Sequence, residues 1–381
     1  MTDQILSPRD AALLADGVYG IRTIDAVRAG FAERGVSVAT AWNLDTASVA
    51  HAGSGAVFRP RSGFAVVLDG SGPWQGHKAI AFRGTVTRWD WLSNFNVAVD
   101  RGPDTLWVPA GFNRIYSDLR EVIAGSLRGH NGPVHVVGHS LGGALAQLAA
   151  LDLAAARKGT TRLYTFGAPR AVFHTDQQRA LKNIGAENIF RVCHSGDPVP
   201  LLPLWPFAHV SLPAHEVWVG SAALPIHKGA HEMRESYADL VSQRTWGDLR
   251  AASGTSRARR EVGYWLDVAE RNVQAPGSAL GFWALGKAIS AILMIVERSV
   301  GSLLVGSATV IDGLASLLMN AANLSAEIGT ALLRVIELAW RWLGRAALSG
   351  VRLTMAFVRY VLELLLRPIA GMARSALERL A

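Results

Sequence analysis

The chain has 381 residues, half of them apolar and 18% charged, with a formal net charge of +8. That length allows two domains and a large core, and the basic excess favours an anionic surface. No basic cluster sits on a nucleic-acid motif, which excludes that partner in favour of phospholipid. The single cysteine, Cys193, excludes an intramolecular disulfide.

In chain order, Met1–Asp10 carries charges and no apolar run. It reads as a start without a Sec-type signal peptide, so the chain is expected to be made in the cytoplasm. Short runs rich in Val, Ile and Phe, bounded by Gly, Pro or Asp, predict strands. They cover Ala65–Asp69, Lys78–Phe82, Val134–Gly138, Leu163–Phe166, Asn188–Cys193 and Glu216–Val219. Apolar residues at helical spacing predict helices over Gly111–Leu127 and Leu141–Arg157. Strands interleaved with helices predict an α/β fold with a mostly parallel sheet.

A polar stretch, Thr245–Arg260, marks a boundary. The expected division is a catalytic domain over 1–250, a linker and short helix over 251–275, and an apolar helical region over 276–381. The last region lacks the ~20 apolar residues of a spanning helix. Its longest uncharged run is Gly313–Ala326, 14 residues. Arg334, Arg341, Arg345, Arg352, Arg359 and Glu363 fall on one stripe of a continuous helix. Two readings follow. Either the helices pack on the enzyme or on themselves, or the wide apolar face lies in a membrane interface. Trp283, Trp340 and Trp342 suit an interfacial belt and equally a core.

The chemistry is centred on VVGHSLGGALAQLAA, Val136–Ala150. A serine hydroxyl is a weak nucleophile that needs a base and oxyanion donors. Glycines on both sides of Ser140, between a strand and a helix, allow a sharp elbow that lifts the hydroxyl out of the sheet. The first N–H groups of the helix, Leu141 foremost, then face the developing charge. There is no P-loop, no dinucleotide fingerprint and no Cys/His zinc spacing. His227 and His231 are spaced i, i+4, but a metal pair is the weaker explanation of them.

This segment, with YTFGAPR (Tyr164–Arg170) and RVCHSGDPVPLLP (Arg191–Pro203), resembles the class 3 lipase family of α/β-hydrolases. AIAFRGTVTRWDWLSNF (Ala79–Phe95) and VPAGFNRIY (Val108–Tyr116) resemble further blocks of it. The resemblance covers about 60 to 235. It implies an α/β-hydrolase fold, with Ser140 as nucleophile and Asp197 as the acid that orients the histidine. His209, His215, His227 and His231 all lie beyond Asp197. AHEMRESYADL resembles the family segment in which the catalytic histidine opens a helix, which favours His231 over His227. Thr85 matches the oxyanion residue beside Leu141, and Asn94 would orient it. Val86–Ser93, with Trp89 and Trp91, matches the lid.

The expected function is a cofactor-free serine carboxylester hydrolase acting on membrane phospholipid, with triacylglycerol as runner-up. The rival is a membrane-perturbing protein in which the tail is the active part. A lipase core, a membrane-binding region at 276–381 and no Sec signal also resemble effectors delivered by specialised secretion, which carry a cognate immunity protein.

Overall fold

The computed structural model describes residues 4–20, 24–34, 41–53, 61–84, 99–157, 159–203, 207–211, 215–220, 227–253, 262–274, 276–300, 310–324, 326–345 and 354–378. Among the described residues, seven strands form one sheet whose spatial order follows the chain: β1 (Trp42–Gly53), β2 (Arg61–Gly70), β3 (Lys78–Phe82), β4 (Val134–His139), β5 (Thr161–Phe166), β6 (Ile189–His194) and β7 (Glu216–Val219). Strands β1 and β3 each run antiparallel to β2 between them. From β3 to β7 every pairing is parallel.

Alternation along the strands supplies both faces. Ile80, Val134, Val136, Leu163 and Ile189 face one way. Ala79, Ala81, Val137, Tyr164 and Phe190 face the other. A sequential parallel order with right-handed crossovers places successive helices on one side. The first face accordingly receives buried residues of α3 (Ala110–Ser126), α4 (Leu141–Ala156) and α5 (Gln177–Ile184). The opposite face is closed from the ends of the domain. Helix α1 (Pro8–Gly17), capped by Ser7, packs there with α2 (Ile24–Arg34) and α6 (Trp246–Ala252). Leu6 is clasped twice: its N–H donates to Tyr164 Oη at 3.0 Å, and its carbonyl accepts from Trp246 Nε1 at 2.8 Å.

The expected elements all appear, shifted by a few residues at their ends. The sequence did not reveal β1, α1 or α2. Strand β1 carries Asp45, Thr46 and Ser48 among its apolar residues and has shifted register against β2, so it offers no clean period.

The C-terminal residues form a bundle: α7 (Val262–Asn272), α8 (Ala279–Val300), α9 (Val310–Leu324), α10 (Ala326–Trp342) and α11 (Met355–Glu378). Helix α7 is the short helix expected after the polar boundary, and its Trp265, Leu266 and Ala269 join the bundle core with Leu285, Ile336 and Leu362. The same core takes in Val199, Leu201 and Leu202 of the catalytic domain. Trp283 stacks edge-on between Trp265 and Trp218 of β7, with ring centroids 4.7 and 5.7 Å away.

The single arginine stripe is corrected. Helix α10 ends at Trp342, and Gly344 follows at φ +72°, a left-handed conformation that glycine adopts without strain. The stripe is therefore divided between two helices. Arg334 pairs with Asp267 at 2.8 Å and with Glu270, while Arg359 pairs with Asp312 at 2.8 Å and Glu363 at 3.1 Å. Arg352 lies outside the described residues. Trp342 is buried and donates to Ser278 O at 2.9 Å. Among the described residues, no helix is long and apolar enough to cross a membrane.

Candidate active site

Strand β4 runs into α4 through Ser140, whose backbone sits at φ 59°, ψ −132°. That region is costly for a residue with a side chain and persists only where the surroundings impose it. Here they do. Ser140 N–H donates to Phe166 O at 3.0 Å on β5, and its carbonyl accepts from Gly143 and Ala144 at 2.9 and 3.2 Å. A Cβ at Gly138 would stand 2.2 Å from Gly142 O, and one at Gly142 would stand 2.3 Å from Phe82 O. These glycines let α4 press against β3 and β4 and push the hydroxyl to the carboxyl edge of the sheet. Leu141 opens α4, in the first turn where N–H groups have no intrahelical acceptor.

The loops after β6 and β7 bring the other groups to that edge, where open α/β sheets bind ligands. His231 closes a short 3₁₀ turn, Lys228–His231. Its Nε2 lies 2.9 Å from Ser140 Oγ and its Nδ1 lies 2.6 Å from Asp197 Oδ2. An ionised carboxylate only accepts, so Nδ1 carries the proton and Nε2 is left to accept from the serine hydroxyl. Ser140 and His231 are fully buried and Asp197 nearly so. Asp197 Oδ1 accepts from Val199 N–H at 2.8 Å.

Two further groups are built into the site. Tyr237, in a π-helical turn over Arg234–Ala238, donates its hydroxyl to Asp197 Oδ2 at 2.5 Å and accepts from His194 N–H at 3.1 Å. Burial, then the Asp197 charge, raises its phenol well above the ordinary tyrosine range. His139 packs on His231 with ring centroids 4.6 Å apart, and its Nδ1 bonds to the Tyr19 hydroxyl. Burial and the neighbouring imidazole push His139 well below the usual histidine range, so it stays neutral. The tyrosine of AHEMRESY was visible in the sequence, but nothing local pointed it at Asp197. Tyr19 comes from a segment the sequence left unassigned.

The other candidate histidines lie elsewhere. His209 bonds Arg191 Nη2 at 2.7 Å and Pro200 O at 2.9 Å, and His215 Nδ1 bonds Ala186 O at 3.1 Å. His227 precedes the turn, with its ring 6.2 Å from that of His194. No cluster of three or more His, Cys, Asp or Glu able to hold a metal occurs among the described residues. Cys193 is buried and its thiol is pushed up to about 12, which leaves it inert. Thr85, Trp89, Trp91 and Asn94 lie outside the described residues.

Residues 79–207 match the family model described as lipase (class 3). This part of the chain is similar to the class 3 lipase family. The secreted mono- and diacylglycerol lipase A of Penicillium cyclopium is 34% identical over 154 residues, covering 37% of this chain and 48% of the relative. The secreted mono- and diacylglycerol lipase 1 of Fusarium solani is 30% identical over 157 residues, covering 38% and 44%. The chain thus spans about half the length of these curated relatives. Among solved structures, the triacylglyceride lipase of Rhizomucor miehei is 21% identical, with a TM-score of 0.41, covering 56% of this chain and 79% of that one.

These relatives overturn one expectation. A cytoplasmic, membrane-associated chain without an export signal, sent out if at all by specialised secretion, does not agree with relatives named as secreted lipases. The reading rested on Met1–Asp10. The described part of that stretch serves the fold, with Leu6 clasped between Tyr164 and Trp246 and α1 packed on the sheet, so its composition reports packing.

Proposed function

We propose that this chain is a serine carboxylester hydrolase that releases fatty acid from glycerolipids at a lipid–water surface. The observation that carries the reading is the buried hydrogen-bonded line from Asp197 through His231 to Ser140. Ser140 Oγ attacks the ester carbonyl while His231 Nε2 takes its proton. Asp197 holds the imidazole in register and stabilises the imidazolium. The tetrahedral oxyanion is met by Leu141 N–H, with Thr85 as the second arm that the family resemblance implies. His231 then protonates the departing glycerol oxygen. Water, deprotonated by the same base, releases the fatty acid from Ser140.

Partial acylglycerols are the favoured substrate. Two relatives are named for mono- and diacylglycerol. The preference for phospholipid leaned on the basic stripe, and two of its arginines are engaged with carboxylates. Turnover of p-nitrophenyl butyrate by the wild type and Ser140→Ala tests the reaction. The variant is expected to lose ~10⁴-fold or more while keeping its circular dichroism. Wild-type turnover in the variant refutes the mechanism. Fatty acid release from diolein against dioleoylphosphatidylcholine then decides the substrate, and faster release from the phospholipid restores the earlier preference.

A further inference from the structure

Strands β6 and β7 set Arg191 and Glu216 side by side as register partners. Both are buried, and Arg191 Nη1 lies 3.0 Å from Glu216 Oε1. Trp218 lies two residues beyond Glu216, on the same face of β7, and Trp283 of α8 packs on it. One turn further along α8, Lys287 Nζ lies 5.8 Å from the Trp283 ring centroid. Arg170, just after β5, donates from Nη1 to Leu201 O and Pro203 O at 2.7 and 3.0 Å. His209 Nε2 holds the same segment through Pro200 O at 2.9 Å and lies 2.7 Å from Arg191 Nη2.

Among the described residues, Arg170, Arg191 and Lys287 thus share one carboxylate, Glu216, which leaves an excess of two positive charges. Burial lowers Lys287 from the usual lysine value; Glu216 opposes this, and Arg170 and Arg191 add to it. Buried charge without a counter-ion is costly. Acceptors are short as well. Arg191 Nε and His209 Nδ1 are buried without a hydrogen-bond partner. A guanidinium only donates. His209 Nε2 faces both Arg191 Nη2 and Pro200 O, and it cannot accept from one while donating to the other. With the proton on Nδ1, that N–H has no acceptor. With the proton on Nε2, the Arg191 Nη2 hydrogen has none there. Either tautomer leaves a donor unmet, so the cluster lacks both negative charge and acceptor atoms. An oxyanion supplies both.

We propose that Arg170, Arg191 and Lys287 form an anion site between the sheet and α8 that takes a phosphate group. Guanidinium forks match phosphate oxygens two at a time. A phosphate monoester carries about −1.5 to −2 near pH 7, which offsets the excess charge. Arg191 and Glu216 are the buried floor, while Arg170, His209 and Lys287 are half-buried and give the ligand a way in. Free phosphate and a phosphomonoester headgroup offer the same chemistry. Because β6, β7 and a helix of the C-terminal bundle share the site, a bound phosphate ties the two parts of the chain together. The site does not depend on the reaction at Ser140.

The test is calorimetric titration of inorganic phosphate into the full chain, with sodium chloride at matched ionic strength as the control. Phosphorus analysis of the dialysed protein comes first, so that a phosphate already held counts as occupancy. The wild type is expected to take one phosphate per chain. Its melting temperature is expected to rise with phosphate and not with chloride. Lys287→Gln is expected to bind about tenfold more weakly, the loss of one charged hydrogen bond. Arg128→Gln, which removes an exposed arginine elsewhere, and Ser140→Ala are expected to bind as the wild type does. Glycerol 3-phosphate identifies the source: tighter binding than phosphate points to a headgroup, weaker binding to the free ion. The wild-type measurements need no variant. A wild type that neither retains nor binds phosphate, or equal binding by Lys287→Gln, overturns the site. Loss of ester hydrolysis in every assay would sink the reading of Ser140 and leave this result standing.

Discussion

Changing Gly142 to alanine tests the elbow without touching a reacting group. The new Cβ would stand 2.3 Å from Phe82 O and 2.7 Å from the Arg83 carbonyl carbon, both backbone atoms, where real Cβ contacts stay beyond 3.0 Å. No side chain can swing aside, so β3 and the first turn of α4 must part by at least 0.7 Å, the difference between 3.0 and 2.3 Å. Overpacking of this kind costs about 1–3 kcal/mol, or roughly 1–4 °C of melting temperature for a chain this large. The larger effect falls on rate. The displaced turn carries Leu141 N–H, and misplacing a catalytic group by ~1 Å costs about 10²-fold. The expectation is a fall of about 10²-fold in kcat on p-nitrophenyl butyrate with KM within a few-fold. Gly125→Ala, on α3 with nothing within 4 Å of its Cβ, is the control and is expected to keep full activity. Wild-type kcat and melting temperature in Gly142→Ala would refute the account of the elbow.

The same ester assay separates the two histidines: His231→Ala is expected to lose at least 10³-fold, and His227→Ala to stay within a few-fold. Tyr237→Phe removes a hydrogen bond to a charged carboxylate, worth about 1.5–3 kcal/mol, and leaves His194 N–H without its acceptor. A lowered melting temperature and a kcat reduced about tenfold are expected, and an unchanged melting temperature would count against the bond. Stability should also depend on acid. Burial pushes His135 from 6.5 down to about 3, so the unfolded state takes up its proton first. The stability is fully present above pH 6.5 and is lost as pH falls from there towards 3, by about 1.4 kcal/mol per pH unit. Urea midpoints at pH 7, 5.5 and 4.5 should show this decline, and His135→Gln should flatten it.

What the sequence revealed and what it concealed divide along the range of the forces involved. The elbow at Ser140 is local. Gly138, Gly142 and the strand-to-helix change lie within a few residues, so pattern alone carried the elbow and the serine proposed as nucleophile. Asp197 and His231 stand 57 and 91 positions away, and spacing alone left four histidines open until the resemblance favoured one. The contacts of Tyr237 and Tyr19 depend on how π-helical and N-terminal segments pack, and no periodicity encodes that. The tail misled because helical spacing was projected straight through Gly344. Acidic partners on α7 and α9 lie far along the chain from Arg334 and Arg359, so a stripe that looked solvated is partly paired within the protein.

The clasp at Leu6 has a consequence for the chain while it is being made. The far face of the sheet is closed by α1 and by Trp246, which lies 240 residues beyond Leu6 in the chain. The proposed base, His231, lies 15 residues ahead of that tryptophan. A growing chain therefore carries Ser140, the proposed nucleophile, for 91 residues before its histidine partner is made. Under the proposed hydrolase reading, the line from Asp197 through His231 to Ser140 can close only once all three residues have been synthesised.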